Sequence, residues 1–496
     1  MSNLKSLAKD TAIYGLSSII GRFLNYLLVP LYTATFAAES GGYGVVTNIY
    51  AITAFVMVLL IYGMETGFFR FVNKKDENPQ TVYSTILISV GATSLLFLVL
   101  CFAFLSPVSS WMGYAQNPEF IGMMALVVAL DAFQSIPFSY LRYKQRPIKF
   151  AAIRLFNIFT NIALNLFFLV ACPWIHQHSP ELISWFYDPG YGVGYVFVAN
   201  LICTLLQMLF FIPELRGFPY TYNPALMKRI FRYSFPILIL GVVGIFNQTA
   251  DKIIFPHLFE NQGEANVQLG IYGAASKIAM IMAMLTQAFR YAYEPFVFGK
   301  HKDADNRVTY ALAMKYFIIF VLLAFLAVMF YLDILRYIIA PDYWPGLRVV
   351  PIVMTAEIFM GVYFNLSFWY KLIDETKWGA YFSIIGCVII VALNMIFVPM
   401  YGYMASAWAG VAGYFTITVV SYVVGQRRYP ISYDLKSIGS YMLLAAVLYG
   451  ISLWIVPENL VLRLLFRTAL LALFIAYIIK KDLPLSRIPI INRYIK

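Results

Sequence analysis

Long apolar runs alternate with short polar connections along almost the whole chain. A bilayer core of about 30 Å needs roughly 20 apolar residues in a helix, and fourteen runs reach about that length. The pattern therefore predicts an all-α, polytopic membrane protein of about fourteen transmembrane helices. The predicted spans are 11–36, 44–69, 82–105, 119–141, 148–172, 191–213, 230–256, 268–298, 308–331, 346–370, 377–398, 403–425, 437–456 and 460–479.

The first span carries a polar stripe that a helix facing lipid on all sides would not need. Thr11, Tyr14, Ser18, Arg22 and Asn25 recur at steps of three or four residues, which places them on one helical face. A charged side chain at the bilayer centre costs about 2.5–3.5 kcal/mol on insertion scales. We interpret Arg22 and Asn25 as lining a water-filled cavity that attracts an anion. The alternative is that Arg22 pairs inside the bundle or extends to its edge.

The fifth span repeats this arrangement. Arg154, Asn157, Asn161 and Asn165 also share one helical face. Guanidinium groups bind phosphate oxygens in bidentate fashion, and amides suit hydroxyl groups, so the stripe suits a ligand with phosphate and sugar parts. The alternative is hydrogen bonding between helices, worth about 0.6–2 kcal/mol for each bond.

Other charged residues lie at membrane depth in the remaining spans. Lys315 and Arg467 are near span ends, where we expect them to snorkel to the interface. The cations predicted to line the cavity with the two stripes are Lys252, Lys277 and Arg290. The acids, predicted to couple an ion or to form internal ion pairs, are Glu65, Asp131, Asp251, Glu294 and Glu357.

The positive charges in the connections predict the topology. The two termini and the loops after even-numbered spans hold 26 Lys and Arg residues, whereas the other loops hold 3. By the positive-inside rule both termini are cytoplasmic. We interpret the first run as a retained span and not a signal peptide, because its apolar region is longer than the usual core of about 7–15 residues.

Composition supports a membrane protein and excludes several other classes. The chain has 496 residues, of which 61% are apolar and 12% are charged. The net charge of +12 is spread over short loops and does not suggest nucleic acid. The four cysteines are widely spaced, and the pair His176 and His178 lacks a third ligand nearby, so neither disulfides nor a metal site is expected. Without a nucleotide-binding, HExxH or GxSxG motif, we predict no enzyme activity and no cofactor.

An internal repeat divides the chain. Corresponding residues of the two copies are 229 positions apart after the first connection and 226 positions apart before it. Six spans separate the copies, which predicts two six-helix lobes related by an axis along the membrane normal, plus two extra helices. The predicted lobes are 1–215 and 216–430, followed by spans 13 and 14 with a tail in 431–496. The most informative matches are Tyr43-Gly44 with Tyr272-Gly273, Glu65 with Glu294, and Pro30 with Pro256.

Several short motifs occur in an order that is typical of one family. They are Pro30-Leu31-Tyr32, Gly42-Tyr43-Gly44, Gly63 to Arg70, Leu141-Arg142, Lys144-Gln145-Arg146, Tyr233-Ser234-Phe235-Pro236, Asp251-Lys252 and Gly270 to Ile278. With fourteen spans, the chain resembles the polysaccharide transporters of the multidrug/oligosaccharidyl-lipid/polysaccharide export superfamily, in particular the O-antigen-type flippases.

The resemblance implies a central V-shaped cavity, alternating access and cavity arginines for a pyrophosphate, with spans 13 and 14 holding the lipid tail. It implies a flippase for undecaprenyl-pyrophosphate-linked oligosaccharide in the bacterial inner membrane. The expected partners are this substrate, membrane lipid, a polymerase and a chain-length regulator, with the protein a monomer. The alternatives are a proton- or Na⁺-coupled multidrug or cation antiporter, which Asp251 keeps open, and a lipid II flippase.

Arg22 provides the first test. Replacing it with Ala should abolish polysaccharide export in cells, because the anionic ligand loses its cationic partner. Membrane levels of the variant should match those of the wild type on an immunoblot. Normal export by a normally inserted Arg22→Ala variant would contradict the assignment of Arg22 to the cavity.

Overall fold

The computed structural model describes residues 26–299, 306–373 and 375–482. Every regular element in these ranges is helical. The α-helices are α1 (Leu28–Thr35), α2 (Gly42–Ile61), α3 (Met64–Val72), α4 (Pro79–Ala103), α5 (Leu105–Trp111), α6 (Pro118–Tyr143), α7 (Pro147–Leu166), α8 (Cys172–His178), α9 (Gly194–Leu209), α10 (Pro224–Ile253), α11 (Gln262–Gly299), α12 (Asn306–Phe330), α13 (Leu332–Leu335), α14 (Val350–Leu366), α15 (Phe368–Leu372), α16 (Lys377–Tyr401), α17 (Tyr403–Arg428), α18 (Leu435–Trp454) and α19 (Leu460–Lys481).

The predicted fold class is confirmed. Twelve helical stretches in the described residues are long and apolar enough to cross a membrane, and the shorter apolar helix α9 corresponds to the sixth predicted span. Helix α1 is the described end of the first span. Arg22 and Asn25, predicted to line the cavity, lie outside the described residues.

The apolar pattern did not reveal where spans are interrupted. The second span breaks where Tyr62 (φ 35°) and Gly63 (φ 74°) take left-handed backbone angles, and α3 begins immediately afterwards with Glu65 in its first turn. The fifth span continues from α7 through one π-helical turn (Phe167–Ala171) into α8. Residue hydropathy reports which side chains avoid water, and it carries no information on backbone direction.

By their internal contacts, the described residues fall into two compact units. The first contains 26–274 and 390–406, and the second contains the described parts of 275–389 and 407–482. The sequence repeat defines the predicted lobes by similarity between the two copies, whereas the units are defined by contacts between helices. The lobe boundaries therefore stay a prediction.

In the first unit the repeated Tyr-Gly motifs pack where α2 meets the start of α11. A Cβ added at Gly44 would lie 1.8 Å from the carbonyl oxygen of Asn266, and one added at Gly273 would lie 2.5 Å from the Thr47 hydroxyl oxygen. At the other end of the span, Gly67 lies against α10, where a Cβ would lie 2.6 Å from the Ser234 Oγ. Small residues thus allow close helix packing at both ends.

In the second unit, ion pairs connect α19 to α12 and α13. Lys315 on α12 forms ion pairs with Asp482 at the end of α19 and with Asp434, whose Oδ2 is 3.5 Å from its Nζ. Arg467 on α19 lies 2.8 Å from Asp333 of α13, to which Arg463 also bonds. Lys315 and Arg467 are therefore both largely buried and paired with acids, instead of extending alone to the interface as we expected.

Gly44 provides a test of the α2–α11 packing. In Gly44→Ala the new methyl group would overlap the Asn266 backbone, so we expect the free energy of unfolding to fall by about 1–3 kcal/mol. Gly244→Ala on α10 is the matched control, because no heavy atom lies within 4 Å of its added Cβ. Thermal unfolding of detergent-purified protein should show a lower Tm for Gly44→Ala alone. Equal Tm values would contradict the close approach.

Candidate functional site

Helix α7 places the predicted Arg-Asn stripe on one face. Pro147 occupies its first turn, where the missing N–H costs no hydrogen bond, and the helix runs without a break to Leu166. Arg154, Asn157, Asn161 and Asn165 are therefore successive positions along one side of a regular helix. The two ends of this stripe differ in their surroundings.

Arg154 is exposed, and aromatic rings hold it in place. Its Cζ lies 4.3 Å from the ring centroid of Phe138 on α6 and 5.7 Å from that of Phe150 on α7. Both rings are buried. A guanidinium that stacks on a ring face keeps its N–H donors directed outward in the plane of the group. Because Arg154 is also exposed, it can present these donors to a ligand.

Two carboxylates and a second arginine share the electrostatic environment of Arg154. Glu65 on α3 and Asp131 on α6 are both half-buried and both attract Arg154. Arg142, at the end of α6, attracts Glu65 and stacks 4.9 Å from the Phe69 ring centroid. We call Glu65, Asp131, Arg142 and Arg154 the Arg154 cluster.

The structure thus joins three residues that the sequence singled out and adds Arg142. In the sequence, Arg142 falls in the connection after the fourth predicted span, where it contributed to the predicted topology and to the Leu141-Arg142 motif. It lies in the last turn of α6, four residues after Phe138 and thus on the same helical face as the ring under Arg154. The spacing of four residues between Phe138 and Arg142 could have indicated from the sequence that Arg142 lies near Arg154.

The other end of the stripe is occupied by hydrogen bonds within the protein. Asn165 is fully buried, accepts a bond of 3.0 Å from the Tyr32 hydroxyl and donates one of 2.9 Å to Asn161 Oδ1. The Tyr50 hydroxyl accepts a separate bond of 2.7 Å from Asn200. The alternative reading, interhelical hydrogen bonding, therefore holds for Asn165.

Asp251 and Lys252 form a separate group with their own partners. The Lys252 Nζ lies 2.8 Å from Asp251 Oδ2, and the Tyr272 hydroxyl donates to the same oxygen at 2.7 Å. The backbone carbonyl of Lys252 accepts a bond of 2.8 Å from Asn48, which joins the end of α10 to α2. Asp251 is thus engaged in an ion pair with Lys252, and its function stays a prediction.

The remaining predicted residues belong to the second unit or lie outside the described side chains. Arg290 on α11 is half-buried, with its Cζ 5.1 Å from the ring centroid of Phe364 on α14. Lys277 and Glu357 are half-buried and each has an interaction partner. Glu294 lies in a stretch of α11 whose side chains are not among those described.

Comparison with known proteins identifies the family. A family model described as polysaccharide biosynthesis protein matches residues 7–292, which is more than half of the chain and includes the Arg154 cluster. The chain belongs to this polysaccharide biosynthesis family. An uncharacterized membrane protein of Haemophilus influenzae is 22% identical over 311 residues, which cover 61% of this chain and 68% of that protein.

Solved structures show the same fold. The lipid II flippase MurJ in an inward closed conformation matches with a TM-score of 0.71 and 14% identity, over 94% of this chain and 98% of that chain. An inward-facing multidrug resistance MATE transporter of the MOP superfamily matches with a TM-score of 0.61 and 15% identity, over 82% and 94%. This chain is therefore a multi-pass membrane protein with the fold that MurJ and this MATE transporter share, as the resemblance implied.

Asn165 and Asn157 should respond differently to substitution. Asn165→Leu leaves the buried Tyr32 hydroxyl without its acceptor, which typically costs about 1–3 kcal/mol. We expect a lower Tm for purified Asn165→Leu. The matched control Asn157→Leu changes a half-buried side chain and should reduce export while leaving the Tm near that of the wild type. The assignment would be wrong if Asn165→Leu unfolded at the wild-type temperature.

Proposed function

We propose that this protein is a flippase that moves undecaprenyl-pyrophosphate-linked oligosaccharide from the cytoplasmic to the periplasmic leaflet of a bacterial inner membrane by alternating access. The observation that carries the proposal is Arg154, which is exposed and held by two buried aromatic rings in a helix of a MOP-type fold. Both termini would be cytoplasmic, as the loop charges predict.

The chemistry of the stripe suits the two parts of such a substrate. A guanidinium forms paired, charge-assisted hydrogen bonds with phosphate oxygens, and its stacked geometry reduces the entropy lost on binding. Asn157, one turn further along α7, is half-buried, and its amide can bond with the sugar hydroxyls. Arg142 adds a second positive charge at the same cluster.

The carboxylates of the Arg154 cluster provide a means of coupling to protons. Glu65 and Asp131 attract Arg154 and therefore compete with a diphosphate for it. A proton taken up by Asp131 neutralises its carboxylate and weakens its attraction for Arg154, and loss of that proton restores the attraction. A polymerase and a chain-length regulator would act on the released substrate.

A cation antiporter would need a carboxylate that is available to its cargo. Asp251 was the residue that kept this alternative open, and it is bonded to Lys252 and Tyr272. The MATE and MurJ similarities are below 25% identity and bear on the fold alone. We therefore favour the lipid-linked oligosaccharide over a small cation, and the family model described as polysaccharide biosynthesis protein favours it over lipid II.

Arg154 should be essential for export. Loss of hydrogen bonds to a charged group costs about 1.5–3 kcal/mol, which corresponds to roughly 10- to 150-fold in affinity. Arg154→Ala should therefore reduce surface polysaccharide at least tenfold in a complemented null strain, and Arg154→Lys should be intermediate because it keeps the charge but not the paired geometry. Arg216→Ala, in an exposed connection, is the control and should export normally.

Two results would contradict the proposal. The first is normal export by an Arg154→Ala variant that reaches the membrane at wild-type levels. The second is drug resistance that the wild-type protein confers and that Asp251→Asn removes, since only an extruder of cations should behave in this way.

A further inference from the structure

A polar cavity opens at one end of the second unit, and no part of the proposed function uses it. It has a volume of about 430 Å³ and is lined by the first turns of α12 and by the connection between α17 and α18. Its polar lining residues are Arg307, Lys315, Ser432 and Asp434. The loop charges predict that this end of the protein is cytoplasmic.

The charges in this cavity form a pair of opposite sign. Arg307 is exposed, with its Cζ 4.6 Å from the ring centroid of Tyr429. Asp434 exposes 54% of its side chain. Lys315 is buried and already forms an ion pair with Asp482, so it adds little charge of its own. Among the described residues that line the cavity, Arg307 and Asp434 are therefore the exposed cation and the exposed carboxylate.

Asp434 is held in its charged form at the start of α18. Its Oδ1 accepts the backbone N–H of Ser437 at 3.1 Å, and its Oδ2 is 3.5 Å from Lys315 Nζ. The Ser437 bond lowers the pKa of Asp434 below its usual value, and Lys315 and Lys481 lower it further. The carboxylate is therefore ionised at neutral pH and can bind an ammonium group.

An apolar cavity lies on the other side of the same loop. It has a volume of about 230 Å³ and is lined by apolar side chains of α12, α14, α17 and α18. Ser432 and Asp434 line the polar cavity, whereas Tyr433 and Leu435 line the apolar one. The stretch 432–435 therefore borders a polar cavity and an apolar one, and a lipid likewise combines a polar headgroup with an apolar chain.

We infer that these two cavities bind one zwitterionic aminophospholipid of the phosphatidylethanolamine class. Its phosphate would bind Arg307, its ammonium would bind Asp434, and an acyl chain would occupy the apolar cavity. A zwitterionic headgroup matches both charges, whereas an anionic phospholipid matches Arg307 alone. A polyprenyl pyrophosphate would place several negative charges beside Asp434. This site is distinct from the Arg154 cluster, and the inference does not depend on the proposed function.

Native mass spectrometry of the purified full-length protein tests this inference. Phosphatidylethanolamine and phosphatidylglycerol with identical dioleoyl chains are titrated separately, and bound lipid is counted. We expect one phosphatidylethanolamine to bind at least threefold more tightly than phosphatidylglycerol. Glycerophosphoethanolamine, which has the headgroup and no chains, should bind at least a hundredfold more weakly.

Asp434→Asn is the decisive variant. Asparagine retains the cap on α18 because its carbonyl oxygen can accept the Ser437 N–H, so the fold should survive. The variant should lose the preference for phosphatidylethanolamine, and Arg307→Gln should weaken the binding of both lipids. Asp342→Asn is the matched control, since it removes an exposed carboxylate from another connection of the same unit and should change nothing.

Four results would overturn the inference. One is a wild-type preference for phosphatidylglycerol, and another is a preference that Asp434→Asn leaves unchanged. The third is that undecaprenyl phosphate displaces bound phosphatidylethanolamine at a lower concentration than phosphatidylethanolamine needs in order to bind. That result would assign the apolar cavity to a polyprenyl chain. Binding of the chainless headgroup as tightly as the intact lipid would exclude the apolar cavity from the site.

Discussion

The free-energy cost of a charged side chain within a bilayer is the constraint on which most of this structure depends. That cost is about 2.5–3.5 kcal/mol per residue on insertion scales, and only a partner or water can offset it. Lys315 and Arg467 offset this cost by forming ion pairs with aspartates, and Arg290 offsets it by stacking on an aromatic ring. These contacts connect helices to one another, so the same constraint that penalises the charges also stabilises the bundle.

Arg154 satisfies the constraint differently. It stacks on Phe138 and Phe150, yet it remains exposed and shares its environment with Glu65 and Asp131. A charge with a purely structural role would be best served by burial against a single acid. An exposed guanidinium between rings and carboxylates can exchange one anionic partner for another, which is what a carrier of a diphosphate needs.

Helical spacing predicted much of this from the sequence and left specific parts out. It identified fourteen spans and put Arg154 on one face with three asparagines, because period and hydropathy are local properties. It could not indicate that the Asn165 side chain is hydrogen-bonded to Tyr32, or that the backbone turns at Tyr62. Each of these depends on a neighbour distant in sequence or on backbone direction. The Tyr-Gly repeat was visible in the sequence, but only the structure shows that Gly44 allows close packing against Asn266.

A structure of the protein with the proposed lipid-linked oligosaccharide bound would test the central claim most directly, through the distance from the Arg154 guanidinium to the diphosphate. The account predicts paired contacts of about 2.7–2.9 Å between guanidinium nitrogens and phosphate oxygens. A diphosphate bound elsewhere, with Arg154 still directed at Asp131 and Glu65, would contradict it.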